Sequence, residues 1–251
     1  MRAGVVRGTM VAVTLAALLA CTRKAADDAY FPLATGRSWT YTLTAEDSGE
    51  TPITLQATIE GPVEVGGVKV TRERIEVQGR KHFLFIGVDE HGIYRHATQS
   101  DQDPTPSLAG ERDYFLVMPL ELGKSWKGVA GPSFLEVGDT DVPIESTVES
   151  TTETIRTPAG EFKDCVRVHV TGSVEIRNEF LEDDDDPAEK GHDADNDEDW
   201  DPVGGTFTLD EQTWYAKDVG VVKSIVTETF KGKSDNDDRA RVTTELQAFT
   251  R

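Results

Sequence analysis

Apolar and polar residues alternate with a period of two along most of the chain, in segments short enough to be strands. The pattern runs through "WTYTLTAE" (39–46), "ITLQATIE" (53–60), "VKVTRERIEV" (68–77), "KHFLFIGV" (81–88) and "IYRHATQ" (93–99). Turn signals such as Gly66-Gly67 and Glu90-His91-Gly92 separate these segments. "RDYFLVM" (112–118), "SFLEV" (133–137) and the long "VPIESTVESTTETIR" (142–156) continue in the same manner. Thr157-Pro158-Ala159-Gly160 then has Pro at the second and Gly at the fourth position of a type I turn, so the chain reverses there. On the return strand Val166, Val168, Val170, Val174 and Ile176 share a dry face. Arg167, His169, Thr171, Glu175 and Arg177 share the wet one.

The last strands fall in "GTFTLDEQTWYAKD" (205–218), "VGVVKSIVTETFKG" (219–232) and "RARVTTELQAFTR" (239–251). No window has comparable apolar spacing at i, i+3, i+4 and i+7, and a short helix has room only at 104–110 or 112–116. The predicted fold class is therefore all-β with little helix. Ten or so strands form a large antiparallel meander that closes into a barrel or half-barrel, because an open sheet of that size would leave long edges exposed.

One device occurs twice: "FPLATGRSW" (31–39) returns 87 residues later as "MPLELGKSW" (118–126). In each copy Pro-Leu enters from a loop, and Gly36 or Gly123 permits a positive φ before the strand. Trp39 or Trp126 is then the first large residue to turn inward, where it can plug one end of the sheet. Buried strand entry is the structural reading of the repeat, and a pair of aromatic clamps around a ligand is the functional alternative. The Gly-Lys-Ser of the second copy is not a phosphate loop, since Met118 stands where the first Gly is required and a strand follows in place of a helix. Ser38 lacks the closing Gly of a nucleophile elbow.

The first residues change the picture from fold to address. Arg2 and Arg7 precede an apolar run (10–20) too short for a lasting span, which reads as an export signal over 1–20. Its end, Leu18-Leu19-Ala20-Cys21, resembles the lipobox of bacterial lipoproteins, which implies lipidation of Cys21 and a polar tether over 21–29. Acyl chains contribute ~0.8 kcal/mol per buried methylene, so several of them hold a protein on a membrane surface. Thr22, a residue other than Asp after that Cys, implies by the same resemblance sorting to the outer membrane of a diderm envelope. A single β domain over 30–251 follows.

A formal charge of −20 excludes a nucleic-acid partner, whose phosphates require a basic surface. Much of this charge is local: the insertion at 182–201 has twelve acidic residues against Lys190 alone. Within it Asp193, Asp195, Asp197, Asp199 and Asp201 alternate like calcium ligands. They lack the Gly and Glu of an EF-hand loop, so they are weak calcium candidates, and a self-repelling loop explains the run better. The five histidines (82, 91, 96, 169 and 192) show no zinc spacing, and with Cys21 lipidated Cys165 is a structural thiol without a partner. No metal, cofactor or catalytic residue is assigned.

The order of "YFPLATGRSW", "MPLELGKSW", "TPAGEFKDCVRV" and "WYAKDVGVVKS" resembles the TapB-type group of exported bacterial proteins, related to a domain of unknown function in many envelope lipoproteins. The resemblance runs from about Tyr30 to Phe249 and is most specific at Pro158-Ala159-Gly160-x-Phe162 and Val219-Gly220-Val221-Val222-Lys223. It departs at the acidic insertion, and at Lys217-Asp218-Val219-Gly220, where the group has Pro-Gly-Val-Gly. It implies a β-rich fold and an envelope location and supplies no catalytic residues. The functional expectation is a non-enzymatic, lipid-anchored module that encloses an apolar ligand or meets an envelope protein partner. A structural lipoprotein with a filled core is the alternative, and a hydrolase the third reading, for which no acid–base constellation is visible.

Overall fold

In the computed structural model the described residues are 30–46, 49, 51–135, 140–176, 204–232 and 237–250. They form twelve antiparallel strands in one nearly closed, barrel-shaped sheet, with essentially no helix. The first six are β1 (Ser38–Ala45), β2 (Ile53–Val65), β3 (Val68–Val77), β4 (Arg80–Val88), β5 (Gly92–Ser100) and β6 (Ser107–Val117). The second six are β7 (Ser125–Ala130), β8 (Val142–Thr157), β9 (Gly160–Ile176), β10 (Gly205–Ala216), β11 (Gly220–Gly232) and β12 (Asp237–Thr250). The spatial order is β6-β5-β4-β3-β2-β1-β12-β11-β10-β9-β8-β7, so the sheet is two six-stranded meanders joined by a full ladder between β1 and β12. At the other junction β6 and β7 form no ladder, although Trp126 Nε1 donates to the Tyr114 carbonyl at 3.0 Å.

Each meander opens on one copy of the repeated element, and the two copies make the same backbone amide bonds. Gly36 N donates to Ile59 O (2.8 Å), and Ile59 N to Arg37 O (2.9 Å). In the second copy Gly123 N donates to Val148 O (2.8 Å), and Val148 N to Lys124 O (2.9 Å). The φ angles of Gly36 and Gly123 are 88° and 80°, the left-handed region that aims each of these amides at its partner and that residues with a Cβ rarely adopt. The serines differ in partner: Ser38 meets Thr250 of β12 at 3.0 Å, and Ser125 meets Thr147 of β8 at 2.9 Å. Trp39 and Trp126 follow, both buried.

Register places the interior. Trp39 and Tyr41 of β1 face Ala57 and Leu55 of β2, and behind them lie Ile75 and Val77 of β3. Tyr215, Val166, Val168, Val148 and Trp126 line the second half together with Ile86, Ile93 and Leu116 from the first. The tip of the β8/β9 hairpin bends onto β12, where Ala159 N donates to Leu246 O at 3.2 Å and Phe162 packs against Phe249. Trp214, on the face opposite Tyr215, lies in that contact cluster and donates from Nε1 to Glu153 at 2.7 Å.

Two sequence expectations are corrected here. The segments 104–110 and 112–116, the two places with room for a helix, supply most of β6 instead, because their residues pair with β5. "SFLEV" is not a strand over its described residues 133–135. There the amides of Ser133, Phe134 and Leu135 turn to the carboxylate of Glu228 at 2.7 to 3.0 Å, leaving none of the three for a ladder. Glu228 is fully buried, so those three donors satisfy a carboxyl group that water does not reach.

Candidate ligand cleft beside Trp39

The first copy of the repeated element has a second task. Phe31 and Pro32 fold over the mouth of the first meander, and with Trp39, Tyr41, Leu55, Ala57, Ile75 and Val221 they line a cleft of about 210 Å³. This exceeds the ~150 Å³ of an engineered apolar cavity that takes up benzene. The rings are held in place by their polar ends: Trp39 Nε1 donates to Val219 O at 2.6 Å, and Tyr41 Oη to Val221 O at 3.1 Å. Burial, with the charge of Glu73 second, raises the Tyr41 pKa, so its phenol stays a donor. Phe31 is braced by a parallel stack on Phe115 at 5.9 Å.

One acid belongs to this wall. Glu73 of β3 is 8% exposed, lies opposite Ile59 and Leu84, and among the described residues its carboxyl makes no hydrogen bond or ion pair. Burial pushes its pKa up to about 7. Its neighbours Arg72 and Arg74 point to the other face and pair with Glu60. Glu73 was not singled out from the sequence. The available signal was its period-two companions Ile75 and Val77, which place a carboxylate in an apolar row.

The second meander shows what the fold requires at that position. From Trp39 the register runs across Ala57 to Ile75, with Ile59 and Glu73 two residues on. From Trp126 it runs across Ser146 to Val170, with Val148 and Val168 two residues on. Val168, 2% exposed in packed core, therefore occupies the counterpart of Glu73. The two copies also differ at their prolines, since Pro32 is buried and Pro119 exposed.

The remaining sequence candidates lie elsewhere. Pro158 is exposed in the two-residue β8/β9 turn, and Gly160 closes it opposite Thr157 with φ 139°. Cys165 is buried, its Sγ 3.5 Å from the Phe162 carbonyl. Cys21, the leader, and the acidic residues Asp193, Asp195, Asp197, Asp199 and Asp201 lie outside the described residues. Among the described residues no three His, Cys, Asp or Glu side chains gather as metal ligands.

His96 bonds the Val65 carbonyl, and His91 sits edge-on to Tyr114. His169 is the histidine with the richest surroundings, between Glu149 (2.8 Å) and Asp210 (3.0 Å) beside Arg167, which bridges Glu149 and Glu153. Burial opposes its charge, but the bonds to Asp210 and Glu149 prevail and raise its pKa. Arg167 and His169 pair with three carboxylates across β8, β9 and β10.

No protein-family model matches the chain, nor does any curated protein sequence. Among solved structures it is similar to one named a putative lipoprotein, from Parabacteroides distasonis. The TM-score is 0.32 at 12% identity, over 88% of this chain and 98% of that one. It is also similar to one named a putative exported protein with YmcC-like fold, from Bacteroides fragilis, with a TM-score of 0.34 at 15% identity, over 89% and 99% of the two chains.

Proposed function

We propose that this protein is a lipid-anchored, non-enzymatic module of the bacterial cell envelope that binds one end of an apolar molecule in the cleft beside Trp39. The cleft is the observation that carries this reading: a sheet needs a filled interior for stability, and an unfilled, ring-lined space at one end of it has the chemistry of a binding site. Its size suits a ring or a chain terminus and not a whole lipid. Anchoring rests on the export signal and Cys21, and the outer membrane on Thr22.

Native mass spectrometry of the protein released gently from membranes tests binding. The expected result is a co-purified apolar ligand, lost when Ala57→Phe fills the cleft without lowering the melting temperature. A wild-type protein that carries nothing and takes up no alkyl probe overturns the reading and leaves a structural lipoprotein. Cys21→Ser tests the anchor separately. It is expected to leave the protein unprocessed or released, and processing and membrane attachment like wild type would remove the lipid.

A further inference from the structure

We infer that the molecule bound beside Trp39 carries a single cationic nitrogen, an ammonium on a hydrocarbon body, for which Glu73 supplies the counter-charge. This rests on the binding function proposed for the cleft and names the chemistry of its ligand.

Three observations converge on the acid. Glu73 is more than nine-tenths buried, belongs to the wall of the cleft and has no partner among the described residues. Among the described residues the other buried carboxylate is satisfied, since Glu228 accepts three backbone amides, and the half-buried Glu211 accepts the Thr213 hydroxyl at 2.7 Å. A carboxyl left without partners in an apolar wall costs stability, and a ligand able to pair with it recovers that cost on binding. The duplicated architecture supplies the second observation, since Val168 at the equivalent register position serves the fold alone. The acid is an addition to the common plan, made in the half that has the cleft.

The third observation is the company it keeps. Phe31, Trp39 and Tyr41 line the same space, and aromatic faces attract cations as a carboxylate does, whereas an anionic headgroup would be repelled by both. Among the described residues no Lys or Arg lines the cleft. The ionisable group that feels the charge of Glu73 across the cleft is the Tyr41 hydroxyl, held neutral by burial. Glu73 is the carboxyl of the cleft wall, and burial raises its pKa to about 7. A bound ammonium would hold it ionised.

Calorimetry with three six-carbon probes, hexylammonium, 1-hexanol and hexanoate, decides the matter on the protein purified from membranes. At pH 8 hexylammonium is expected to bind at least tenfold tighter than 1-hexanol, with hexanoate weakest. At pH 5, where Glu73 is protonated, the advantage over the alcohol should fall below threefold. Glu73→Gln, and Glu73→Val with the residue found at the equivalent position, should bind the alcohol and lose the preference. The wild-type pH profile stands even where a variant fails to fold. Alcohol or hexanoate binding as tightly as the amine at pH 8 overturns the cationic ligand and leaves the cleft intact as an apolar site. If no probe binds, the binding function itself is lost.

Discussion

Glu73 makes stability depend on pH in a direction opposite to that of most carboxylates. Its pKa is raised from 4.5 to about 7, so the unfolded chain releases the proton first as pH rises and the folded state loses ground between those values. Below pH 4 both states are protonated and there is no effect. Glu73→Gln is therefore expected to stabilise the protein by up to about 3 kcal/mol at pH 8 and not at pH 4, read from denaturant unfolding at the two values. A raised acid is an unusual residue for a protein to retain unless it is used. His169 acts in the same pH direction through a different cause. Asp210 and Glu149 raise its pKa, so its contribution is complete below the ordinary imidazole value and is lost as pH climbs through the raised one. His169→Gln should lower the melting temperature at pH 6 and leave it nearly unchanged at pH 9.

At the level of elements, the two strand-entry segments share their backbone amide bonds and are unequal in use. Each indole is buried and bonded to a carbonyl outside its own strand, Trp39 to Val219 and Trp126 to Tyr114. Ala at either position should cost ~3 to 5 kcal/mol through lost burial and the space left behind. Unchanged melting in both variants would contradict this. The element pattern was largely legible in sequence because alternation reports a half-buried strand directly, and Thr157-Pro158-Ala159-Gly160 announces its turn. What misled the reading was local: "SFLEV" alternates like a strand, but Glu228, 93 residues beyond Leu135, claims its amides. The apolar cleft was expected only in kind. Glu73 escaped notice because a lone Glu in an alternating segment looks like solvent-facing charge until the register of two neighbouring strands is known.

Across the whole molecule the two meanders differ most at one hairpin. In the first, β3 and β4 are joined by Gln78 and Gly79, and in the second, β9 and β10 are joined by 177–204. The ladder between β9 and β10 is complete to Ile176 opposite Gly205. Replacing 182–201 by a short Gly-Ser turn should leave the melting temperature within a few degrees of wild type, since each halving of a loop changes its closure entropy by only ~0.6 kcal/mol. A fall of many degrees, or a large calcium-dependent rise that the replacement abolishes, would show that the segment stabilises the sheet. The β1/β12 ladder also determines how the fold bears load. Strand β1 is gripped by β2 along Ser38–Leu43 and by β12 along Ser38–Ala45. Because antiparallel ladder bonds run perpendicular to the strand, a pull along β1 toward the amino terminus strains two rows of bonds at once in shear, instead of opening one row bond by bond. A protein held at its amino end while its ligand or partner is drawn away would thus resist at its strongest seam, and mechanical failure would be expected first at the junction of β6 and β7, where no ladder exists.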